Sequence, residues 1–564
     1  MPRPHARRLL LAWLTGWAAT GAGAQSAAPL GNPLDSLPRP QRPTPPDAEV
    51  RIDVKPPAPP GADILNRGLT PRRFSIEGVR SLPFDEVAAL FAPLAGQPIT
   101  VAQLIETSQR ATAIYQRRGY ALSFFFVPAQ DFRDGVVRVV AVEGHVQDVR
   151  LEGDAGRAEP KLREIAERLR ADKPLRRETF ERVTELLGRL PGITLQAEVR
   201  LPTSTDGAST LTLKVRRKPY DLAVGLEARQ PHPRAVLTGS VNDLLAPGSQ
   251  IGASTLVSSA RHDHYNALHY LQFVGGQGWS LKGTLSRYRG DPNEQLGIEG
   301  PLPRETRVRR AEIGASYPLR LSRSASLTIG LGLYGVDTQD TTSNPANGAY
   351  LTDDSRVRVL QGQMAYASQL PERSRQASLT LSHGLKGLGA RAGLLSNLPG
   401  LSGPSPVELG FTRLQAEASQ ANRFANGFGT VVSLALQASA DPLPSSEKTS
   451  FGGGRFGRGY ASGEAVGDSG WGLGLELNKA FTMDGAWLRQ WQPYLLWEAA
   501  RVYADQGTPL PQTLRSVSLG LRLSDHQRYS VDISASKPTG DTPLDNTRKR
   551  WRAGLTLSWR LAGP

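Results

Sequence analysis

The densest run of residues that could do chemistry is Ser450 to Trp471, SFGGGRFGRGYASGEAVGDSGW. Gly452, Gly454 and Gly457 stand at the spacing G-x-G-x-x-G. That spacing serves a dinucleotide where it links a strand to a helix, whose N-terminus holds the pyrophosphate. No βαβ pattern surrounds it here, so these glycines point to backbone freedom and close approach. His262, Asp263, His264 and His269 lie close together, but their spacing fits no standard zinc pattern, and no metal is expected. The chain has no cysteine, which removes disulfides, thiolate metal sites and thiol nucleophiles. No G-x-x-x-x-G-K-[ST] run offers a phosphate loop. Sequence order alone supports no Ser-His-Asp constellation, because triad members need only be close in space. Neither an enzyme nor a cofactor is expected.

The elements around this glycine-rich run alternate apolar and polar residues with period two, which places one set on each face of a strand. Leu327, Ile329 and Leu331 oppose Ser326, Thr328, Gly330 and Gly332. Trp551, Ala553, Leu555, Leu557, Trp559 and Leu561 oppose Arg552, Gly554, Thr556, Ser558 and Arg560. A soluble sandwich would have shorter strands and a more aromatic core. Segments of about ten residues, apolar on one side only, fit an antiparallel barrel closed in a bilayer. The hydrophobic fraction is only 39%, and the longest apolar run, Leu9 to Ala19, falls short of the ~18 residues of a spanning helix. Sixteen such strands are expected between 219 and 561. Their long connections, 289–306, 338–354, 386–405 and 441–469, all follow odd-numbered strands, as in outer-membrane barrels with short periplasmic turns. The net charge of +15 is dispersed along strands and loops, which argues against nucleic acid and for lumen walls and anionic outer-membrane lipid.

Upstream of the barrel, 218–564, the chain divides further. Arg3, Arg7 and Arg8, the run Leu9 to Ala19 and Ala22-Gly23-Ala24 read as an export signal over 1–24. A proline-rich linker occupies 25–70. Two units follow, 71–144 and 145–217, each with the order β-α-α-β-β; repetition of this kind signals a repeated module. Neither carries a catalytic constellation. Each offers an edge strand, Leu122–Val127 or Leu195–Leu201, that could receive an extended polypeptide by strand addition.

The run RRGYALSFFFVPAQDFRDGVVRVVAVEGHVQDVRLEG, Arg117 to Gly153, closely resembles the POTRA repeats of the haemolysin secretion/activation family. Its members are the outer-membrane transporters of two-partner secretion, called TpsB. The resemblance implies two periplasmic POTRA modules and a sixteen-stranded outer-membrane barrel that exports an unfolded TpsA-type exoprotein without ATP. It also implies dealings with periplasmic chaperones and the barrel-assembly machinery. Gly457-Arg458-Gly459-Tyr460 resembles the VRGY/F signature of the family's sixth loop, which folds back into the lumen. There the arginine pairs with an acid on the thirteenth strand, and Glu498 in PYLLWEAARVY is the matching candidate. This chain departs from the family in having Gly457 for valine, and Glu498 and Ala500 for Asp-x-Gly. Residues 25–70 are too proline-rich for the long plug helix of many members, so a very short plug or none is expected. An outer-membrane assembly factor of the same superfamily is the alternative; it would normally carry more repeats.

Overall fold

The computed structural model describes residues 50–51, 65–199, 202, 204–229, 232–258, 261, 263–297, 302–504, 513–545 and 548–561. The expected export signal, most of the linker, Leu201 and His262 lie outside the described residues.

The first unit runs β1 (Arg73–Glu77), α1 (Phe84–Phe91), α2 (Val101–Arg117), β2 (Phe124–Phe126) and β3 (Val136–Val142). Helix α2 starts where it does because Thr100 and Gln103 form a reciprocal cap, each side chain accepting the other's backbone N–H at 3.3 and 2.9 Å. Val101, Leu104, Ala111, Ile114 and Tyr115 recur at helical spacing and are buried against Val137, Val139 and Ala141 of β3. β3 is central, parallel to β1 and antiparallel to β2, so β2 is an edge. Glu143 closes the unit by accepting hydrogen bonds from Tyr115 Oη at 2.7 Å, Ser81 Oγ at 2.9 Å and the amides of Arg80 and Ser81. Burial opposes its ionisation, but these donors outweigh it and hold the carboxyl below its ordinary value.

The second unit repeats the order with β4 (His145–Asp154), α3 (Glu159–Ala171), α4 (Arg177–Gly188), β5 (Ile193–Val199) and β6 (Ala208–Arg217). Its central strand β6 is parallel to β4 and antiparallel to β5. The outer edge of β5 is already paired, in parallel, with the linker residues Val50 and Arg51.

Sixteen antiparallel strands close the barrel. The first eight are β7 Tyr220–Arg229, β8 Arg234–Asn242, β9 Ser249–Ser258, β10 His264–Val274, β11 Trp279–Gly290, β12 Arg304–Leu321, β13 Ala325–Asn344 and β14 Ala349–Leu370. The rest are β15 Arg373–Gly384, β16 Thr412–Arg423, β17 Phe428–Ser439, β18 Ser469–Lys479, β19 Gln490–Tyr503, β20 Thr513–Ser524, β21 Tyr529–Pro538 and β22 Arg552–Arg560. β7 and β22 seal the ring from Ala223↔Arg560 to Arg229↔Gly554. The second unit sits against the short-turn end. Arg182 of α4 donates to Pro318 O at 2.9 Å, Tyr317 Oη at 3.0 Å and Gln277 O at 3.2 Å, while Phe273 and Leu321 join the unit's apolar core. The long connections therefore lie at the far end.

Strands β12 to β14 outrun the expectation. The expected connection 338–354 is mostly a continuing hairpin that turns at 345–348, with Thr341 and Thr352 hydroxyls 2.9 Å apart across it. A ladder standing in water on both faces needs no apolar row, so its alternation disappears. Conversely, the tenth barrel strand, expected from 406, begins at Thr412, and short strands Arg391–Ser396 and Gly403–Pro404 occupy the preceding connection.

The outward rows are apolar: Leu281 and Leu285 on β11, Ile313 on β12, Ile329, Leu331 and Leu333 on β13, Leu379 and Leu381 on β15 are all exposed. The inward rows are polar, as in the Ser280–Ser316 hydroxyl contact of 2.7 Å and the Gln361–Glu312 bond of 3.3 Å. Only a hydrocarbon surround makes such a wall favourable. Leu331→Arg, in the middle of the apolar row, is expected to destabilise the barrel by roughly 2–4 kcal/mol in urea titrations in phospholipid bilayers. Gln361→Arg, facing the lumen, is expected to change stability far less.

Candidate functional site

The connection from β17 to β18, residues 440–468, turns back into the barrel. Its short strands Thr449–Phe451 and Ala465–Gly467 pair antiparallel. Its tip touches inward residues from opposite walls: Arg455 reaches Glu417 of β16 at 3.2 Å, and the Arg458 carbonyl accepts from Arg229 Nη1 of β7 at 3.3 Å. A segment held from both sides in this way obstructs the lumen. The space left beside it is about 880 Å³, lined by Arg229, Gln376, Glu417, Arg458, Glu476 and Asp532 among others.

The residues singled out in sequence meet here, but not in the expected pairing. Glu498 Oε2 accepts from the backbone N–H of Arg458 at 2.9 Å and from Ser516 Oγ at 3.0 Å. The Arg458 guanidinium makes neither a hydrogen bond nor an ion pair with Glu498. It donates to Tyr494 Oη, stacks near the Tyr494 ring at 5.4 Å and lies 3.6 Å from Asp532 Oδ2 of β21. The expected side-chain pair Arg458–Glu498 is thus corrected to a backbone tether at Glu498 and a side-chain contact with Tyr494 and Asp532. The geometry explains why: the amide nearest Glu498 belongs to Arg458 itself, so the longer guanidinium arm reaches past it to the wall beyond.

A wider network supports this contact. Tyr494 Oη donates to Asp532 Oδ1 at 2.6 Å, and Arg522 Nε lies 3.3 Å from Asp532 Oδ2. Arg522 makes a forked pair with Glu476 of β18, at 2.7 and 2.6 Å, the bidentate geometry that favours Arg over Lys. Tyr494 needs space: a Cβ on Gly520 would lie 2.1 Å from its ring. Gly459 passes so close to β21 that a Cβ would stand 2.6 Å from Pro538 N, and Gly457 has φ +143, reserved for glycine. Tyr460 is fully buried and donates to Asp541 O at 2.8 Å. Glycine at 457 and 459 therefore lets the hairpin lie flat on the wall.

The hairpin base has its own fastenings. Glu447 Oε2 accepts from Tyr334 Oη of β13 at 2.8 Å and pairs with Arg413 of β16 at 2.9 Å. Glu464 accepts from the amides of Ala461 at 2.7 Å and Leu544 at 2.6 Å, tying the hairpin to the connection before β22. Burial pushes the Glu464 carboxyl up to about 7 despite those two donors. Its pKa is raised on folding, so the stability it lends is complete below the ordinary carboxyl range and is lost as pH rises through about 7. Pore conductance in planar bilayers is expected to rise between pH 6 and pH 8, and Glu464→Gln is expected to flatten that profile.

Among the described residues, no group of three or more His, Asp or Glu could hold a metal. Sequence reasoning missed Tyr494, Asp532, Arg522, Glu476, Glu447, Arg413 and Tyr334. Inward parity could have flagged those on strands, since Tyr494 and Glu498 share a face; which of them meet depends on register.

A POTRA domain model of the ShlB type matches residues 69–144, and a model of the haemolysin secretion/activation protein ShlB/FhaC/HecB matches residues 248–523. The outer membrane transporter CdiB of Escherichia coli is 27% identical over 197 residues, 34% of this chain and 33% of that protein. CdiB of Escherichia coli O6:K15:H31 (strain 536 / UPEC) is 27% identical over 205 residues, 36% and 34% of the two chains. These alignments span about a third of each curated relative. Among solved structures, CdiB from Escherichia coli superposes with a TM-score of 0.65 at 17% identity, covering 99% of this chain and 98% of that one. CdiB from Acinetobacter baumannii gives 0.56 at 14%, covering 99% and 97%. BamA from Haemophilus ducreyi lacking POTRA domains 1-3 gives 0.51 at 15%, covering 87% and 100%. At these identities the superpositions speak for the fold.

Proposed function

The chain belongs to the haemolysin secretion/activation family of two-partner secretion transporters in the outer membrane, and we propose that it exports one large, unfolded TpsA-type exoprotein through its own lumen. In this reading residues 1–24 are an export signal, 25–70 a linker, 71–144 and 145–217 two periplasmic POTRA modules, and 218–564 the pore with its hairpin at 441–469. Residues Gly457, Arg458, Gly459, Tyr460 and Glu498 form the hairpin's lock, joined by Tyr494 and Asp532. No bond is made or broken and no ATP is used; folding of the client outside biases its diffusion outward. Periplasmic chaperones deliver the client, and the barrel-assembly machinery inserts the transporter.

The observation that carries the reading is the polar lumen obstructed by a hairpin held through hydrogen bonds, ion pairs and a small apolar patch, with the second unit docked at its periplasmic end. Polar fastenings exchange readily for contacts to a passing polypeptide, and the apolar patch that seats Phe451, Phe456 and Tyr460 on Ala435, Ala500, Val502 and Leu514 must part as the hairpin moves. For client reception we favour β2: Phe124–Phe126 is a sheet edge, whereas the β5 edge carries Val50 and Arg51. Strand addition at β2 would give a sequence-tolerant grip.

Removing the gene for this chain from its host, followed by proteomics of medium and outer membrane, tests the proposal. One very large exported protein should vanish from the medium while the outer-membrane inventory stays unchanged. Broad loss of barrel proteins from the outer membrane would instead favour the assembly-factor alternative.

A further inference from the structure

The lipid-facing wall of β11 to β14 carries an unusual arrangement of charge. In antiparallel register Arg287 faces Arg309 directly, and Arg289 faces Arg307. Arg356 of β14 faces Arg391 in the same way. All six lie on the outward rows, because they share parity with exposed Leu285, Ile313 and Leu360. Like charges set directly opposite on one sheet face repel. The acidic neighbours do not relieve the first pair: Asp337 lies opposite Arg309, but its carboxylate is held by Arg358 Nη1 at 2.8 Å. Glu305 is shared between Arg289 and Arg307, and Asp354 is taken by Arg391 at 2.9 Å. Arg287 and Arg309 are both exposed.

The height of these arginines matters. Along β11 the outward row reads Leu281, Gly283, Leu285, Arg287, Arg289, ending at the end remote from the periplasmic units. Along β13 it reads Ile329, Leu331, Leu333, Gly335, Asp337. The guanidinium groups therefore begin where the apolar band stops, at the level of the outer-leaflet headgroups. Immediately below them the wall is concave. A depression of about 1030 Å³ is floored by Leu268, Leu285, Ile313 and Leu333, with Arg287, Arg309 and Arg358 along its rim.

We propose that this wall binds a phosphorylated glycolipid of the outer leaflet, the lipid A portion of lipopolysaccharide. Its phosphate sits between Arg287 and Arg309, and its acyl chains fill the apolar depression. A phosphate turns the repulsive rung into two charge-assisted, fork-shaped contacts. Beside hydrocarbon such contacts are screened less than in water. The adjoining depression selects a lipid over a free anion, since inorganic phosphate gains nothing from an apolar floor.

The test is native mass spectrometry of the full mature protein in detergent, titrated with bis-phosphoryl lipid A, with lipid A stripped of both phosphates and with inorganic phosphate as competitor. The wild type should hold the phosphorylated lipid more tightly than the phosphate-free one. The double variant Arg287→Gln/Arg309→Gln should weaken it by roughly tenfold or more, as loss of charge-assisted contacts implies, and Arg287→Lys/Arg309→Lys should recover part of the loss. Equal affinity of the wild type for both lipids would overturn the proposal, as would unchanged binding in the Gln variant. Displacement of the lipid by inorganic phosphate at comparable concentration would reassign the arginines to a free-anion site. Heat-modifiable migration on gels reports whether the Gln barrel closes; if it does not, the wild-type comparison of the two lipids decides alone.

Discussion

Arg458→Ala is expected to loosen the lumen hairpin and to raise the resting conductance of the pore. The guanidinium is mostly buried, 3.6 Å from Asp532 and against Tyr494, so its loss leaves Asp532 supported by Arg522 and Tyr494 alone. Breaking a buried pair typically costs about 3–5 kcal/mol, and the partial exposure here places the effect at the lower end. The chain lacks cysteine, so a single Ser462→Cys reporter gives hairpin opening directly as a thiol-labelling rate. A double-mutant cycle then separates the two candidate partners. Arg458→Ala and Asp532→Ala should couple by about 1 kcal/mol or more. Arg458→Ala and Glu498→Ala should couple less, because the hydrogen bond that Glu498 accepts comes from the backbone N–H that alanine retains. The reverse pattern would restore direct pairing of the Arg458 and Glu498 side chains. Export should fall in Arg458→Glu, where the new carboxylate would face Asp532 and Glu498 together.

The second large effect concerns the periplasmic units. Deleting residues 71–217 is expected to reduce export of the client to background while leaving an ion-conducting pore. The pore survives because ring closure runs entirely within β7 to β22. Export is expected to fail because, in the proposed function, these units present the unfolded chain to the lumen. Since Phe273 and Leu321 lose their cover in the deletion, a subtler variant is a useful companion. Val139→Asp puts a carboxylate at a fully buried position of the first unit's sheet, an unpaired charge that costs several kcal/mol, and leaves the docked second unit in place. Export at wild-type levels in both variants would show that the units are dispensable.

How much of this was legible in the chain follows from what each signal measures. Period-two alternation reports membrane contact, so the sixteen strands could be counted, and the parity of Leu331 and Glu498 was readable from their neighbours. The extension of β13 and β14 past the membrane was not readable, because strands such as those joined by Thr341 and Thr352 are polar on both faces. The glycines at 457 and 459 announced close approach. They could not announce which wall is approached, since that depends on register across strands distant in sequence, as the contacts of Gly459 with Pro538 and Arg458 with Asp532 illustrate. The pairing of Val50 and Arg51 with β5 was hidden for a related reason: a parallel partner 147 residues away leaves no local pattern.

The central claim is that the exported polypeptide travels inside this cylinder. Photo-crosslinking residues placed at Gln376, which lines the lumen, and at Leu379, which faces lipid on the same strand, test it during active export. The account predicts crosslinks to the large exoprotein from position 376 and none from position 379. Crosslinks from the lipid-facing position alone, or from neither while export continues, would contradict it.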